Sequence, residues 1–266
     1  MANVSYNLRK YFSWSSHEWL SFLITVVVVA FLLSFNNWGA DELDVNVGIE
    51  NLAVMVFSMV LLLGVIILVQ KMLGIFLGYS VTYESSWLGL GIGLFVTILT
   101  NGILPFFLPG GLKYDTIPTR RIGKFLPGHN HNELFVIAAA APLVPLLLAI
   151  PFGALYLATG VETLKLIIFA ALFTSVYSLI PFPNFVNPGK LHGPTDITQV
   201  HKLLHHGAYG YDLWSFNMPG YAVLVATVLV FSALVLLLNV FSLVVAFVLG
   251  LLMLWIYKIT VKYLTK

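Results

Sequence analysis

The sequence predicts an all-α, polytopic membrane protein with about six transmembrane helices and one re-entrant segment. Of its 266 residues, 59% are hydrophobic and only 9% are charged, and the mean hydropathy is +0.95. A water-soluble domain could not cover itself with so little charge. Apolar stretches of about 20 residues, the length that crosses a bilayer core of roughly 30 Å, recur along the chain. We therefore expect membrane lipid around most of the chain and no nucleic-acid partner.

The distribution of Lys and Arg decides which apolar stretches cross the membrane. Basic residues accumulate on the cytoplasmic side of short loops, which places the N-terminus, with Arg9 and Lys10, inside the cell. If 87–108 does not cross, every Lys and Arg except Lys165 faces the cytoplasm, and both termini lie there. The alternative is seven ordinary spans with an untypical charge distribution. The seven stretches are 17–36, 51–72, 87–108, 134–157, 164–182, 218–237 and 240–261.

The composition of 87–108 also favours a re-entrant segment. Residues that interrupt a helix are spread along it and just beyond it: Gly89, Gly91, Gly93, Asn101, Gly102, Pro105 and Pro109. Broken backbone at membrane depth is tolerated only against protein or a water-filled cavity. The segment is therefore expected to enter the membrane and return to the same side.

Two predicted cytoplasmic loops, 109–133 and 183–216, carry six of the seven histidines. His201 and His205 stand four residues apart, a spacing that puts two imidazoles on one face of a helix and suits zinc. The remaining candidate metal ligands are His129, His131, His192 and Asp196. The other interpretation is a set of interfacial histidines bonded to backbone and headgroups, since the chain has neither cysteine nor an HExxH string.

Four strings, in this order, resemble the site-2 protease class of intramembrane zinc metalloproteases. They are KMLGIFLGYSVTYE at 71–84, PFFLPGGLKY at 105–114, FVIAAAAPLVPLLLAI at 135–150 and YSLIPFPNFVNPGK at 177–190. The resemblance divides a single membrane domain, 1–266, into an N-terminal anchor helix (1–50), a protease-like core (51–190) and a C-terminal helical hairpin (217–266).

The resemblance also implies where the zinc centre of an active member would lie. The family's HExxH supplies two zinc ligands and the general base, and a later Asp supplies the third ligand. The matching positions here hold Ile66, Ile67, Gln70 and, for the Asp, Asn187. Isoleucine has no ligand atom, so the resemblance implies a protease fold without its zinc centre.

Three functions remain as hypotheses. The first is a non-catalytic pseudoprotease scaffold or complex subunit that needs no cofactor. It would hold a transmembrane protein or peptide in the groove that binds substrate in active members of the family. The second is an active metalloprotease whose zinc is held by the loop histidines and Asp196. The third is a transporter or channel, for which Thr97, Thr100, Asn101, Ser175 and Tyr177 are the candidate polar lining residues. The groove of the first hypothesis would be lined by Pro109, Gly110, Gly111, Pro142, Pro181, Pro183 and Asn184.

Overall fold

The computed structural model describes residues 10–38, 44–117, 130–182, 208–237, 244–245 and 248–249. Most of these residues are helical, and two short strands form the only sheet in this part of the chain. The elements are α1 (Ser16–Ser34), α2 (Val45–Leu77), β1 (Tyr79–Glu84), α3 (Trp87–Leu99), β2 (Gly111–Thr116), α4 (His131–Thr159), α5 (Glu162–Tyr177), α6 (Tyr209–Phe216) and α7 (Met218–Leu236).

Four helices are long and apolar enough to cross a membrane: α1, α2, α4 and α7. They agree with the predicted class of helical membrane protein with several spans. The count of six stays a prediction, because α5 has 16 residues, and a helix of that length covers about 24 Å of a bilayer core of roughly 30 Å. Most of the last predicted span, 240–261, lies outside the described residues.

Helices α1, α4 and α5 pack against α2, and α7 packs against α4 and α5. Asn51 Nδ2 donates to the carbonyl of Asn37 (2.7 Å), and Lys71 pairs with Glu18, so α1 and α2 are antiparallel. Helix α5 returns beside α4 after the left-handed Gly160, and Ser175 Oγ donates to the carbonyl of Pro142 (2.6 Å). Buried alanines on both helices let α4 and α5 pack closely, as small residues do in membrane proteins; they are Ala138, Ala139, Ala140, Ala141, Ala170 and Ala171.

Residues 85–110 leave the two-stranded sheet and come back to it. Strands β1 and β2 pair in antiparallel register, with Glu84 opposite Gly111, so the segment begins and ends at one place. Helix α3 extends about 20 Å, and the chain then reverses at Asn101 and Gly102, both with positive φ. The path is compatible with a re-entrant segment, the name kept below for residues 85–110, and its entry into the membrane stays a prediction.

One end of the molecule, called the hairpin end below, gathers most of the polar contacts between elements. It comprises the start of α1, the end of α2, both strands, the start of α4, the end of α5, α6 and the start of α7. Tyr79 Oη donates to Glu133 (2.8 Å), joining β1 to α4, and Asn217 Nδ2 donates to Asn132 Oδ1 (3.3 Å), joining the start of α7 to α4. The turn between α4 and α5 lies at the opposite end, as does Lys165 near the start of α5.

Candidate functional site

The three helix positions that the predicted resemblance matches to HExxH lie in the packed interior. Ile66 and Ile67 belong to the hydrophobic core, and Gln70 is fully buried one turn further along α2. The oxygen Oε1 of Gln70 accepts a hydrogen bond from Tyr209 Oη of α6 (3.2 Å). Two aliphatic side chains and an amide that is already hydrogen-bonded offer no pair of metal ligands there.

Residues 208–210 lie where the partner groove was predicted. The carbonyl of Gly110 accepts from Tyr209 N (3.2 Å), and the carbonyl of Phe182 accepts from Ala208 N (3.3 Å). A Cβ at Gly210 would collide with the carbonyl oxygens of Leu179 and Ile180. The start of α6 is therefore held between the re-entrant segment and the end of α5.

The predicted groove residues are mostly enclosed. Pro109, Gly110, Gly111 and Pro142 are buried, whereas Pro181 is exposed; Pro183 and Asn184 lie outside the described residues. Helix α4 continues through Pro142, Pro145 and Pro151, so these prolines do not open it into an extended strand. In this structure the Gly110 and Phe182 carbonyls bind the chain's own residues.

The predicted metal ligands fall largely beyond the described part of the chain. His129, His192, Asp196, His201 and His205 lie outside the described residues, as does Asn187. His131, the first residue of α4, is exposed, and its ring lies 5.7 Å from that of Phe216. Across the described residues no group of three His, Cys, Asp or Glu side chains is positioned to hold a metal ion. The zinc hypothesis stays a prediction.

Of the five residues considered for a transport path, two bond their own backbone or a neighbouring helix, and the buried Thr97 hydroxyl has no hydrogen-bond partner among the described residues. Thr100 Oγ1 donates to the carbonyl of Val96 (2.8 Å), as threonine in helices commonly does, and Ser175 bonds Pro142. Asn101 forms the turn that follows α3. The transport hypothesis stays a prediction.

A buried ion pair is the strongest electrostatic feature that the sequence did not reveal. Glu18 Oε2 lies 2.7 Å from Lys71 Nζ, and both side chains are at most 4% exposed. Glu18 Oε1 also accepts from Tyr83 N (3.0 Å), while Lys71 donates to the carbonyl of Ser13 (2.6 Å). The partners are far apart in sequence, so only an unusually placed acid at the start of an apolar span could have signalled the pair.

The buried tyrosine Tyr83 joins this ion pair to the re-entrant segment. Its hydroxyl donates to the carbonyl of Pro109 and lies 2.9 Å from Thr25 Oγ1. Burial raises the pKa of Tyr83 above its ordinary value, so the phenol keeps its proton. Its contacts therefore connect α1, β1 and the residues that lead into β2.

A second buried acid lies on α6. Asp212 is 1% exposed, and neither carboxylate oxygen has a hydrogen-bond partner among the described residues. Burial raises the pKa of Asp212 well above its usual range, although the hydroxyl of Tyr114 nearby opposes the rise. Burial also raises the pKa of Tyr114, with a further contribution from Asp212. A carboxyl in such a place favours its neutral form.

Comparison of the chain with protein-family models, with curated proteins and with solved structures returns no match. The resemblance to the site-2 protease class therefore stays a prediction. The described site is a closed, hydrogen-bonded junction of α2, α6 and the re-entrant segment.

Proposed function

We propose that this chain is a non-catalytic, site-2-protease-like membrane protein that binds a transmembrane segment of a partner. The observation that carries partner binding is the exposed, non-helical tip of the re-entrant segment. Ile103 is 80% exposed and Leu104 is 50% exposed, directly after the reversal at Asn101 and Gly102.

The distance of this tip from the sheet explains why its exposure favours a partner. Helix α3 carries the chain about 20 Å away from the sheet, which is more than half of a bilayer core of roughly 30 Å. Lipid cannot hydrogen-bond to irregular backbone, so such backbone at membrane depth is stable only where protein or water covers it. Internal bonds satisfy the backbone donors of the turn, among them Gly102 N to Thr97 O (2.8 Å), Ile103 N to Thr100 O (3.1 Å) and Leu104 N to Thr100 Oγ1 (3.3 Å). The side chains of Ile103 and Leu104 nevertheless stay exposed.

An apolar partner helix fits this surface. The exposed large side chains of the segment form one apolar face: Trp87, Leu88, Phe95, Ile98, Leu99, Ile103 and Leu104. Among them are no charged groups that would select a soluble partner. A transmembrane helix packed over the tip would cover both the irregular backbone and these side chains.

The absence of catalysis rests on the helix that would carry the zinc ligands. Ile66, Ile67 and Gln70 are at most 1% exposed, and Gln70 already bonds Tyr209. The orientation that we propose places the hairpin end, with Lys113, in the cytoplasm and Lys165 on the other side. Both termini then lie in the cytoplasm if six helices cross.

Site-specific photocrosslinking in native membranes tests partner binding. A photoreactive residue at Ile103 is expected to give a discrete protein adduct, whose mass-spectrometric identification would reveal a membrane-spanning segment. Matched controls are Val27 and Leu155, which are 57% and 50% exposed on α1 and α4. Lipid adducts alone at all three positions would refute the proposal.

A further inference from the structure

The carboxyl group of Asp212 is a buried acid with no neutralising cation in its hydrogen-bonding range among the described residues. Helix α6 holds it against β2 and α4, and neither oxygen has a hydrogen-bond partner there. The hydroxyl of Tyr114, on β2, is also buried and without a hydrogen-bond partner in this part of the chain. The two unsatisfied groups belong to elements that pack together.

The other titratable groups that the described part of the chain places around α6 are engaged elsewhere or point away. Glu133 on α4 accepts from Tyr79, Tyr221 on α7 donates to the carbonyl of Leu179 (2.9 Å), and Tyr209 on α6 bonds Gln70. His131 is exposed beside Phe216. Because side chains alternate along a strand, Lys113 and Asp115 lie on the face of β2 opposite Tyr114. Tyr211, also on α6, is only partly buried and packs near Trp214.

Binding of a proton is the simplest way to neutralise this buried carboxylate. An ionised carboxylate buried without a cation or a set of donors is costly, and such a group becomes neutral instead. A proton needs no additional space, and a carboxylic acid can then exchange one hydrogen bond with the Tyr114 hydroxyl. A metal ion would need several more oxygen ligands than these two side chains provide.

We propose that Asp212 is a proton-binding site, and that α6 is docked at the hairpin end while this carboxyl carries its proton. The step is the binding or loss of one proton at a carboxylate oxygen, with no other bond made or broken. Loss of the proton leaves a buried negative charge and favours undocking of α6. Undocking would free the carbonyls of Gly110 and Phe182, but the proton site does not depend on what binds there.

The direction of the pH dependence follows from the raised pKa of Asp212. The docked state binds the proton more tightly than the undocked state, so docking is fully favoured below the ordinary carboxyl range. Between that range and the raised pKa, the ratio of docked to undocked protein falls about tenfold per pH unit as the pH rises. Above the raised pKa the ratio no longer changes.

Infrared spectroscopy of the full chain tests the protonation itself. The parent protein at neutral pH is expected to show the carbonyl stretch of a protonated carboxylic acid, and Asp212→Asn should abolish it. The matched control is Asp115→Asn, which alters an exposed acid on β2 and should leave the band in place. A band that is missing from the parent, or that survives in Asp212→Asn, would overturn the proposal.

Thiol labelling tests the coupling to docking. The chain has no cysteine, so Ala208→Cys supplies a single buried thiol at the start of α6, and Thr163→Cys supplies an exposed reference. The labelling rate at position 208, divided by the reference rate, should rise with pH in the parent and stay low in Asp212→Asn. An equal rise in Asp212→Asn would contradict the coupling.

The variant Tyr114→Phe gives a second, independent test of the proton site, read out as the pH midpoint of thiol labelling. Because the Tyr114 hydroxyl lowers the pKa of Asp212, its removal should move the labelling transition to higher pH. A hydroxyl with a merely structural role would change the amplitude of labelling at every pH without moving the midpoint. An unmoved midpoint would exclude Tyr114 as the partner of the proton site.

Discussion

The carboxylate of Glu18, in the first turn of α1, lies 2.7 Å from the ammonium group of Lys71, in the last two turns of α2. Lys71 Nζ also lies 5.0 Å from the centre of the Trp14 ring. This contact fixes the antiparallel arrangement of the first two helices at the hairpin end. Because Glu18 also bonds the backbone of Tyr83, the pair connects the helices to the sheet.

Removing one member of the pair should destabilise the fold strongly. Lys71→Met leaves Glu18 as an uncompensated buried charge, a change that costs about 3–5 kcal/mol of unfolding free energy. The double variant Glu18→Leu/Lys71→Met should recover much of that loss. Unfolding in detergent measures the effect, with the exposed pair Glu162 and Lys165 as the control expected to change little. Equal effects at the two pairs would contradict the buried pairing.

Tyr83→Phe should weaken the attachment of the re-entrant segment. The change leaves the Pro109 carbonyl without its donor and should cost about 1–3 kcal/mol of unfolding free energy. Tyr211→Phe, at a partly buried tyrosine on α6, is the control. Thermal unfolding in detergent compares the two variants, and a Tyr83 variant as stable as the control would exclude a structural role for this hydroxyl.

The register of the sheet predicts which cysteine pairs can form a disulfide. Ser80 and Asp115 face each other across β1 and β2, so Ser80→Cys/Asp115→Cys should oxidise readily. Glu84→Cys/Asp115→Cys places the thiols four positions out of register and should not. Gel mobility with and without reductant reads out the bond, and a disulfide in the second variant alone would mean that 85–110 does not return as described.

Alanine substitutions at two glycines of α3 distinguish the effect of packing from the effect of helix propensity. A Cβ at Gly93 would collide with the carbonyl oxygen of Phe106, whereas a Cβ at Gly91 meets nothing within 4 Å. Gly93→Ala should therefore lower the unfolding free energy by about 1–3 kcal/mol through overpacking. Gly91→Ala should be neutral or stabilise by up to about 1 kcal/mol. Thermal unfolding should show Gly93→Ala as the less stable of the two variants; the reverse order would mean that Phe106 does not pack against Gly93.

The sequence predicted the membrane class, and it marked the interval in which α3 ends and the chain reverses. Long apolar helices and low charge suffice for the class. The helix continues through Gly89, Gly91 and Gly93, whereas Asn101 and Gly102 do mark its end. The structure places the end of α3 at Leu99 and the reversal at Asn101 and Gly102, within that interval. Local composition determines such features.

The contacts at the hairpin end could not be predicted in the same way. The pairing of Glu18 with Lys71 and of Gln70 with Tyr209 joins residues that are far apart along the chain. Asp212 lies in a short polar run that reads as an interfacial segment, and only packing against β2 and α4 buries it. Burial of a single acid has no sequence pattern when its neighbours come from other elements.

The metal content of the detergent-purified protein tests the central claim, which is that the chain is non-catalytic because it holds no zinc centre. Elemental mass spectrometry of the parent protein and of His201→Ala/His205→Ala is the measurement. We predict no stoichiometric metal in either sample. Stoichiometric zinc in the parent protein would contradict the claim, and its loss in the double variant would assign the metal to the histidine-rich loop and make a metalloprotease the leading hypothesis.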